Sequence, residues 1–352
     1  MRQMRRKNPE LDNQLFSEIV SRLFWFRERL VYLPMLFLFD LFLLFEFCLV
    51  VVALTTFDFL SAPTQPGDLG TLAHYRVISE IGQGGMGHVF EALDTKLKRS
   101  VALKVMNSKV ASIRNSRKLF VREARAMAAI QHDNVVTIFE VGKSRDTPFI
   151  AMEMLKGKTL AERNRTGPLL NCQQIIHYAR QLATGLAVAH EKGIIHRDIK
   201  PANIWIEEGS DRIKILDFGL ALASKSLQKI SSGAVIGTPA YLSPEQARSE
   251  PLDDRTDLYS LGAVLYESCT GSLPVTNQSL SGQLVSIIAQ RPKPIQKRNR
   301  QIPIPLCELI HSLLKKEPRS RPKSAFEFLE KLDQVALSCD ATSDVALTIN
   351  KL

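Results

Sequence analysis

Hydrophobic positions divide this 352-residue chain into stretches of different rhythm. Residues 1–29 are polar and basic, with Arg2, Arg5, Arg6, Lys7, Arg22, Arg27 and Arg29. Leu30 to Leu60 is strongly apolar and longer than the ~20 residues a membrane-crossing helix requires. Ser61 to Thr71 (SAPTQPGDLGT) carries the prolines and glycines of a linker, and residues 61–74 read as one. From Tyr75 short apolar runs alternate with turns, and Val89 to Ala92 reads as strand. Leu119, Phe120, Ala124, Met127 and Ile130 then recur at helical spacing. Asn171 to Lys192 predicts a long helix, with Ile175, Ile176, Ala179, Leu182, Ala183, Leu186 and Ala189 as its apolar stripe. Further helices are predicted over Arg255–Cys269, Gly282–Gln290, Pro305–Lys315 and Ser324–Val335. After Ala336 a short polar tail, 337–352, remains.

The apolar run 30–60 is not a simple membrane span. Pro34 can bend a helix, and Asp40 and Glu46 lie inside the run. An intramembrane carboxylate costs about 2.5–3.5 kcal/mol on insertion scales. Positive charge precedes the segment, and no Lys or Arg follows until Arg76, which would leave the N-terminus inside. Four readings stay open: a single span, an amphipathic or re-entrant anchor, a helix docked on another protein, or a true start downstream, for instance at Met35. Association with a membrane leads among them. A cleaved signal peptide does not fit, because the run is too long and no clear cleavage site follows.

Chemistry concentrates further along. Ile194 to Asn203 reads I-I-H-R-D-I-K-P-A-N, and Asp217-Phe218-Gly219 follows. Such a pair of motifs sets carboxylates and an amide where phosphoryl transfer needs them. Upstream, Ile81-Gly82-Gln83-Gly84-Gly85-Met86-Gly87-His88-Val89 matches G-x-G-x-x-G-x-V. In dinucleotide-binding proteins that pattern opens a helix; here it leads into a strand. Val101-Ala102-Leu103-Lys104 and the segment holding Glu123 come next. Gly237-Thr238-Pro239 and Ser243-Pro244-Glu245 close the series.

Over roughly Tyr75 to Leu332 these motifs, in this order, resemble the eukaryotic-type protein kinases, and among them the Ser/Thr kinases found in bacteria. The resemblance implies an α+β, bilobal protein-kinase fold, with a small, mainly β N-lobe holding one key helix and a larger, mainly α C-lobe. It places the kinase domain at 75–336 and implies a serine/threonine protein kinase using ATP and Mg²⁺, with Mn²⁺ as the alternative ion. It implies that Asp198 orients the substrate hydroxyl and accepts its proton, and that Lys200 meets the γ-phosphate. Asn203 and Asp217 would bind metal. Lys104 would hold the α/β-phosphates and pair with Glu123. Ile81, Gly82, Gly84, Gly85, Gly87 and Val89 would cover the nucleotide, with Ala102 over adenine. Met152 would be the gatekeeper, and the backbone of Glu153 and Leu155 would bond adenine. Trp205 stands where the family more often has Leu, and Ser243 where Ala is usual. Glu245 would be tied by Arg321, and Asp257 would hold the catalytic-loop backbone. His196 reads as a structural core histidine.

Arg197 before the catalytic Asp implies control by an activation-loop phosphate, which adds about −1.5 to −2 charge. Ser224, Ser226, Ser231 and Ser232 lie in that loop, and Ser231 and Ser232 are the expected autophosphorylation sites. Expected partners are protein substrates and ATP, a membrane through 30–60, and a second copy for autophosphorylation. ATP use would place the kinase domain in the cytoplasm.

Composition adds exclusions. Cys48, Cys172, Cys269, Cys307 and Cys339 are scattered, with no C-x-x-C pair, which argues against a disulfide framework or zinc site. The net charge of +10 fits a phosphate-handling protein, and no nucleic-acid motif accompanies it. The basic stretch Arg291 to Arg300 reads as a solvated loop, with a docking site for acidic partners as the alternative. A pseudokinase scaffold and a small-molecule kinase are the rival readings. The first would show motif decay, and the second would lack the G-T-P…S-P-E segment; neither condition holds here.

Overall fold

The computed structural model describes residues 57–84, 87–107, 114–217 and 239–349. The chain divides into a unit of residues 1–58 and a unit of residues 59–352, and the second carries the fold. Its first half is an antiparallel six-stranded sheet in the order β1-β2-β3-β4-β6-β5. The strands are β1 (Gly70–Leu72), β2 (Tyr75–Gly84), β3 (Gly87–Asp94), β4 (Arg99–Met106), β5 (Ile138–Ser144) and β6 (Thr147–Glu153). Helix α1 (Arg114–Ala128) packs on β5 and β6 through buried Phe120, Ala124 and Met127, the positions its spacing predicts.

Within the stretch 61–74, Gly70–Leu72 form the edge strand of the sheet, and Ser61 bridges to Thr71. Ala73 takes φ +52° and turns the chain, so that Gly70, Thr71 and Leu72 pair with Val77, Arg76 and Tyr75. Arg76 grips Asp68 through two bonds of 2.8 and 3.2 Å. Prolines and glycines here shape a tight return, and Leu72, 1% exposed, anchors it.

The second half is mainly helical. A three-stranded sheet joins β7 (Gly157–Thr159), β8 (Ile204–Glu207) and β9 (Ile213–Ile215). Helices are α2 (Leu160–Thr166), α3 (Cys172–Glu191), α4 (Pro244–Arg248), α5 (Arg255–Thr270), α6 (Leu280–Ala289), α7 (Ile304–Leu313) and α8 (Ala325–Ile349). The predicted stripe of α3 is buried throughout. Each of its Ile and Leu side chains contributes about 1.5–3 kcal/mol by leaving water. Helix α5 is buried on almost every side, as expected of a helix at the centre of a domain. Helix α2 was not foreseen, although Thr159 and Glu162 form a capping box, a pattern readable in T-x-x-E. The C-terminal helix continues through the expected tail to Ile349, because no Gly or Pro interrupts it.

The two halves are stitched beside the catalytic motifs. Val136 N–H donates to the Ile215 carbonyl at 3.0 Å, and Ile215 N–H donates to Asn134 at 2.9 Å. One apolar cluster runs from Met106, Phe120 and Ile150 through α3 to Phe328.

Candidate active site

The glycine motif forms a strand–turn–strand hairpin. Gly82 faces Val89, Gln83 faces His88 and Gly84 faces Gly87. Gly85 and Met86 at its tip lie outside the described residues. A Cβ on Gly87 would sit 1.9 Å from the Val105 carbonyl oxygen, so the fold itself demands glycine there. Gly84 has nothing within 4 Å of a Cβ, and Gly82 only Val89 at 3.9 Å. Their lack of side chains leaves room for a ligand rather than for the protein. Ile81 is 47% exposed above this space. Cross-strand register puts Val89 opposite Lys104, and Ala102 opposite Met152, so these four share one face of the sheet.

The catalytic loop gathers Asp198, Lys200 and Asn203. Lys200 Nζ lies 2.7 Å from Asp198 Oδ2. Asn203 Nδ2 donates to the Asp198 carbonyl at 2.8 Å and to its Oδ2 at 3.0 Å. Asn203 Oδ1 is therefore turned away from Asp198. Arg197 and Asp217 take positive φ values of +66° and +46°, strain of the kind found at functional sites.

The loop is held from below by buried polar groups. Asp257, wholly buried, accepts the N–H groups of His196 and Arg197 at 2.7 Å each, and meets His190 Nε2 at 2.8 Å. His196 Nδ1 accepts the Asp198 N–H at 3.2 Å, so its proton sits on Nε2 and is donated to the Leu216 carbonyl at 2.8 Å. Burial lowers the His196 pKa, against the pull of Asp257, which keeps this ring neutral. It thus ties the H-R-D loop to the residue before Asp217. Gln246, from the helix that Ser243 caps, donates to the Arg197 carbonyl at 2.8 Å. The Ser in S-P-E thus has a local role as N-cap. Neither Gln246 nor His190 was singled out in the sequence; the S-x-x-Q cap was the signal for the first.

Lys104 does not meet Glu123. Its Nζ pairs with Asp217 Oδ1 at 2.5 Å. Glu123 Oε2 is buried without a hydrogen-bond partner, and so is Arg197 Nε. Burial raises the Glu123 carboxyl to about 7, against the pull of Arg197 and Arg122. Enclosure also disfavours charge on Asp217, but the hydrogen bond and charge of Lys104 overcome it and hold that carboxyl below the ordinary range. The sequence could not show which carboxylate Lys104 takes, since Glu123 and Asp217 come from distant segments and no spacing decides between them.

At the segment expected to form the hinge, Met152, Glu153 and Leu155 are partly buried. The Glu153 N–H already donates to Thr137 at 3.0 Å, so it brings no donor to adenine. Its carboxylate takes the Thr137 N–H and the buried Lys214 ammonium, each at 2.6 Å. Trp205 donates its indole N–H to Lys156 just beyond, at 3.2 Å. Phe218 to Thr238 lie outside the described residues, and with them Ser224, Ser226, Ser231, Ser232, Gly219 and Gly237.

Glu245 and Arg321 form a bidentate buried pair at 2.7 and 2.8 Å. The other Arg321 donors go to the carbonyls of Arg255, Lys315 and Lys316, which satisfies all five. Burial works against the Glu245 charge, yet Arg321 holds its carboxyl below the ordinary range.

The sequence model of the protein kinase domain matches residues 75–332. The chain belongs to the protein kinase family. A probable serine/threonine-protein kinase of Clostridium acetobutylicum is 40% identical over 261 residues, covering 74% of this chain and 40% of that protein. Serine/threonine-protein kinase pkn3 of Myxococcus xanthus is 39% identical over 277 residues, covering 75% of this chain and 50% of that protein. The chain thus spans half or less of the length of these two relatives. Among solved structures, the PknI kinase domain of Mycobacterium tuberculosis is 25% identical with a TM-score of 0.61, covering 75% of this chain and 97% of that one. The bilobal kinase fold is therefore established.

Proposed function

We propose that the chain is a serine/threonine protein kinase, transferring the γ-phosphoryl group of ATP to Ser or Thr hydroxyls of proteins. The observation that carries this is the convergence of Asp198, Lys200 and Asn203 within hydrogen-bond distance. Lys104 and Asp217 are paired in the same unit. Asp198 orients the hydroxyl and takes its proton; Lys200 withdraws to the γ-phosphate as charge develops. Lys104 and the glycine hairpin hold the other phosphates, and Ala102, Val89 and Met152 enclose the base.

The donors fit a small hard cation. Asp217 and the outward Oδ1 of Asn203 are oxygen ligands, and two protein ligands completed by phosphate oxygens suit Mg²⁺ or Mn²⁺. When bound, the ion would neutralise phosphate charge.

Before that, Asp217 has to leave Lys104, and Glu123 is the replacement partner. The arrangement with Glu123 unpaired favours its protonated form, so it is fully favoured below the ordinary Glu value of 4.5 and loses favour as pH rises through about 7. We expect the KM for MgATP to fall between about pH 4.5 and about pH 7 and to level off above that, and Glu123→Gln to flatten that profile. An unchanged profile in the variant would remove this switch.

Autophosphorylation at Ser231 or Ser232 would give Arg197 a phosphate partner. Replacing both with Ala is expected to lower activity several-fold. Full activity in the double variant would exclude them. The domain assignment 75–336, the membrane attachment through 30–60 and the pairing of two copies belong to the same reading and rest on sequence. Residues 30–56 lie outside the described residues, and among the described residues no helix is long and apolar enough to cross a membrane.

Incubating the full chain with γ-labelled MgATP and analysing the phosphoamino acids tests the reading. Labelled phosphoserine or phosphothreonine is expected; label confined to phosphotyrosine would overturn it.

A further inference from the structure

Phe59 stands at the N-terminal edge of the folded unit and is 7% exposed. Its ring meets Phe90 edge-on, with centroids 6.0 Å apart, and lies 6.1 Å from the His88 ring. Both partners belong to β3, the second strand of the glycine hairpin. Strand alternation turns His88 and Phe90 to the face opposite Val89 and Lys104. Phe59 therefore packs on the reverse side of the hairpin, behind the Gly82–Val89 pair. His88 Nδ1 is in turn 2.7 Å from Glu80 Oε1 on β2. Phe59, His88 and Glu80 thus form a chain of contacts across both strands.

The segment carrying Phe59 is pinned at its other end. Ser61 and Thr71 exchange both backbone hydrogen bonds, at 2.9 and 3.0 Å. Gly70 permits this closure, since a Cβ there would sit 2.5 Å from the Ser61 carbonyl oxygen. Leu69 N–H donates to Val77 at 2.8 Å. The loop 61–71 is therefore closed at its base, and the chain must leave it beside β3.

We propose that Phe59 is a positioning residue for the nucleotide site: a strut on the back of the glycine hairpin, held by the closed strap 61–72. The strap that sequence reads as a tether then becomes part of the ATP-binding apparatus. The inference rests on the proposed kinase function. It concerns what holds the hairpin, not what the hairpin does.

The test uses the full chain with Phe59→Ala, Phe59→Leu and Gly70→Ala, measuring amide hydrogen exchange over 80–90 and 172–191 together with steady-state kinetics. Phe59→Ala is expected to speed exchange over 80–90 about tenfold, leaving 172–191 unchanged. Its KM for MgATP should rise several-fold, with kcat within about twofold. Phe59→Leu keeps apolar volume and should restore both; Gly70→Ala opens the strap and should reproduce the exchange change. A merely structural role predicts a lowered kcat, an unchanged KM and faster exchange in both segments, and that result overturns the proposal. So does unchanged exchange over 80–90 in Phe59→Ala, or in Gly70→Ala should the first variant fail to fold. If the wild type binds no MgATP, the kinase reading falls, and the exchange comparison alone decides the strut.

Discussion

Asp198→Asn is expected to lower phosphoryl transfer by about 10²–10⁴-fold, the range lost with a positioned acid–base group. The variant keeps the shape of the side chain and removes its charge. Asn203 Nδ2 and Lys200 Nζ both donate to Asp198 Oδ2, and an amide oxygen can still accept such bonds. The loop geometry should therefore survive, because it is fixed by Asp257 on the backbone of His196 and Arg197. MgATP affinity should change little, since the hydroxyl and its proton belong to the second substrate. A fall in kcat with KM for MgATP unchanged separates loss of chemistry from loss of nucleotide. Initial rates on a model protein substrate, with nucleotide affinity measured in parallel, check this. A variant within about threefold of wild type would move the acid–base role elsewhere.

Arg321→Lys is expected to destabilise the domain by about 2–6 kcal/mol, about 1–3 for each of two buried acceptors left unmet, although the charge is retained. Arg321 uses five donors in a plane, two on Glu245 and three on carbonyls. A lysine has three donors at one point, so it leaves buried acceptors unmet. Domains are stable by only about 5–15 kcal/mol, so this loss is a large fraction of the total. Urea unfolding followed by far-UV circular dichroism measures it. The pH dependence has a defined sign. The Glu245 carboxyl is lowered from its ordinary 4.5 in the folded state, so its contribution is present above that value and lost as pH falls through the folded one. Wild-type stability should drop on acidification below about pH 4.5, and the variant should lose part of that slope. A loss under 1 kcal/mol would mean that water or neighbouring groups replace the missing bonds.

The two-lobed fold was legible because its signals are local. The stripe of α3 runs at helical period and is buried as read, and the glycine motif leads into a strand as Val89 to Ala92 indicate. Glu245 with Arg321 and Asp257 under the catalytic loop were readable from the motifs that contain them. What failed depended on contacts between distant segments. The stretch 61–74 has linker composition, yet Gly70–Leu72 pair with β2, and Asp68 is held by Arg76. The partner of Lys104 is Asp217 from a distant segment, not the Glu123 that the motif order suggested. The reach of Lys214 to the hinge carboxylate spans two lobes, and no spacing encodes it.

The most direct measurement is isothermal titration of the full chain with ATP, with and without Mg²⁺, beside Asp217→Asn and Asp198→Asn. If Asp217 and Asn203 hold the ion that bridges phosphates, wild type and Asp198→Asn bind ATP more tightly with Mg²⁺, and Asp217→Asn loses that gain. Equal Mg²⁺ enhancement in Asp217→Asn, or no ATP binding by the wild type, would contradict the account.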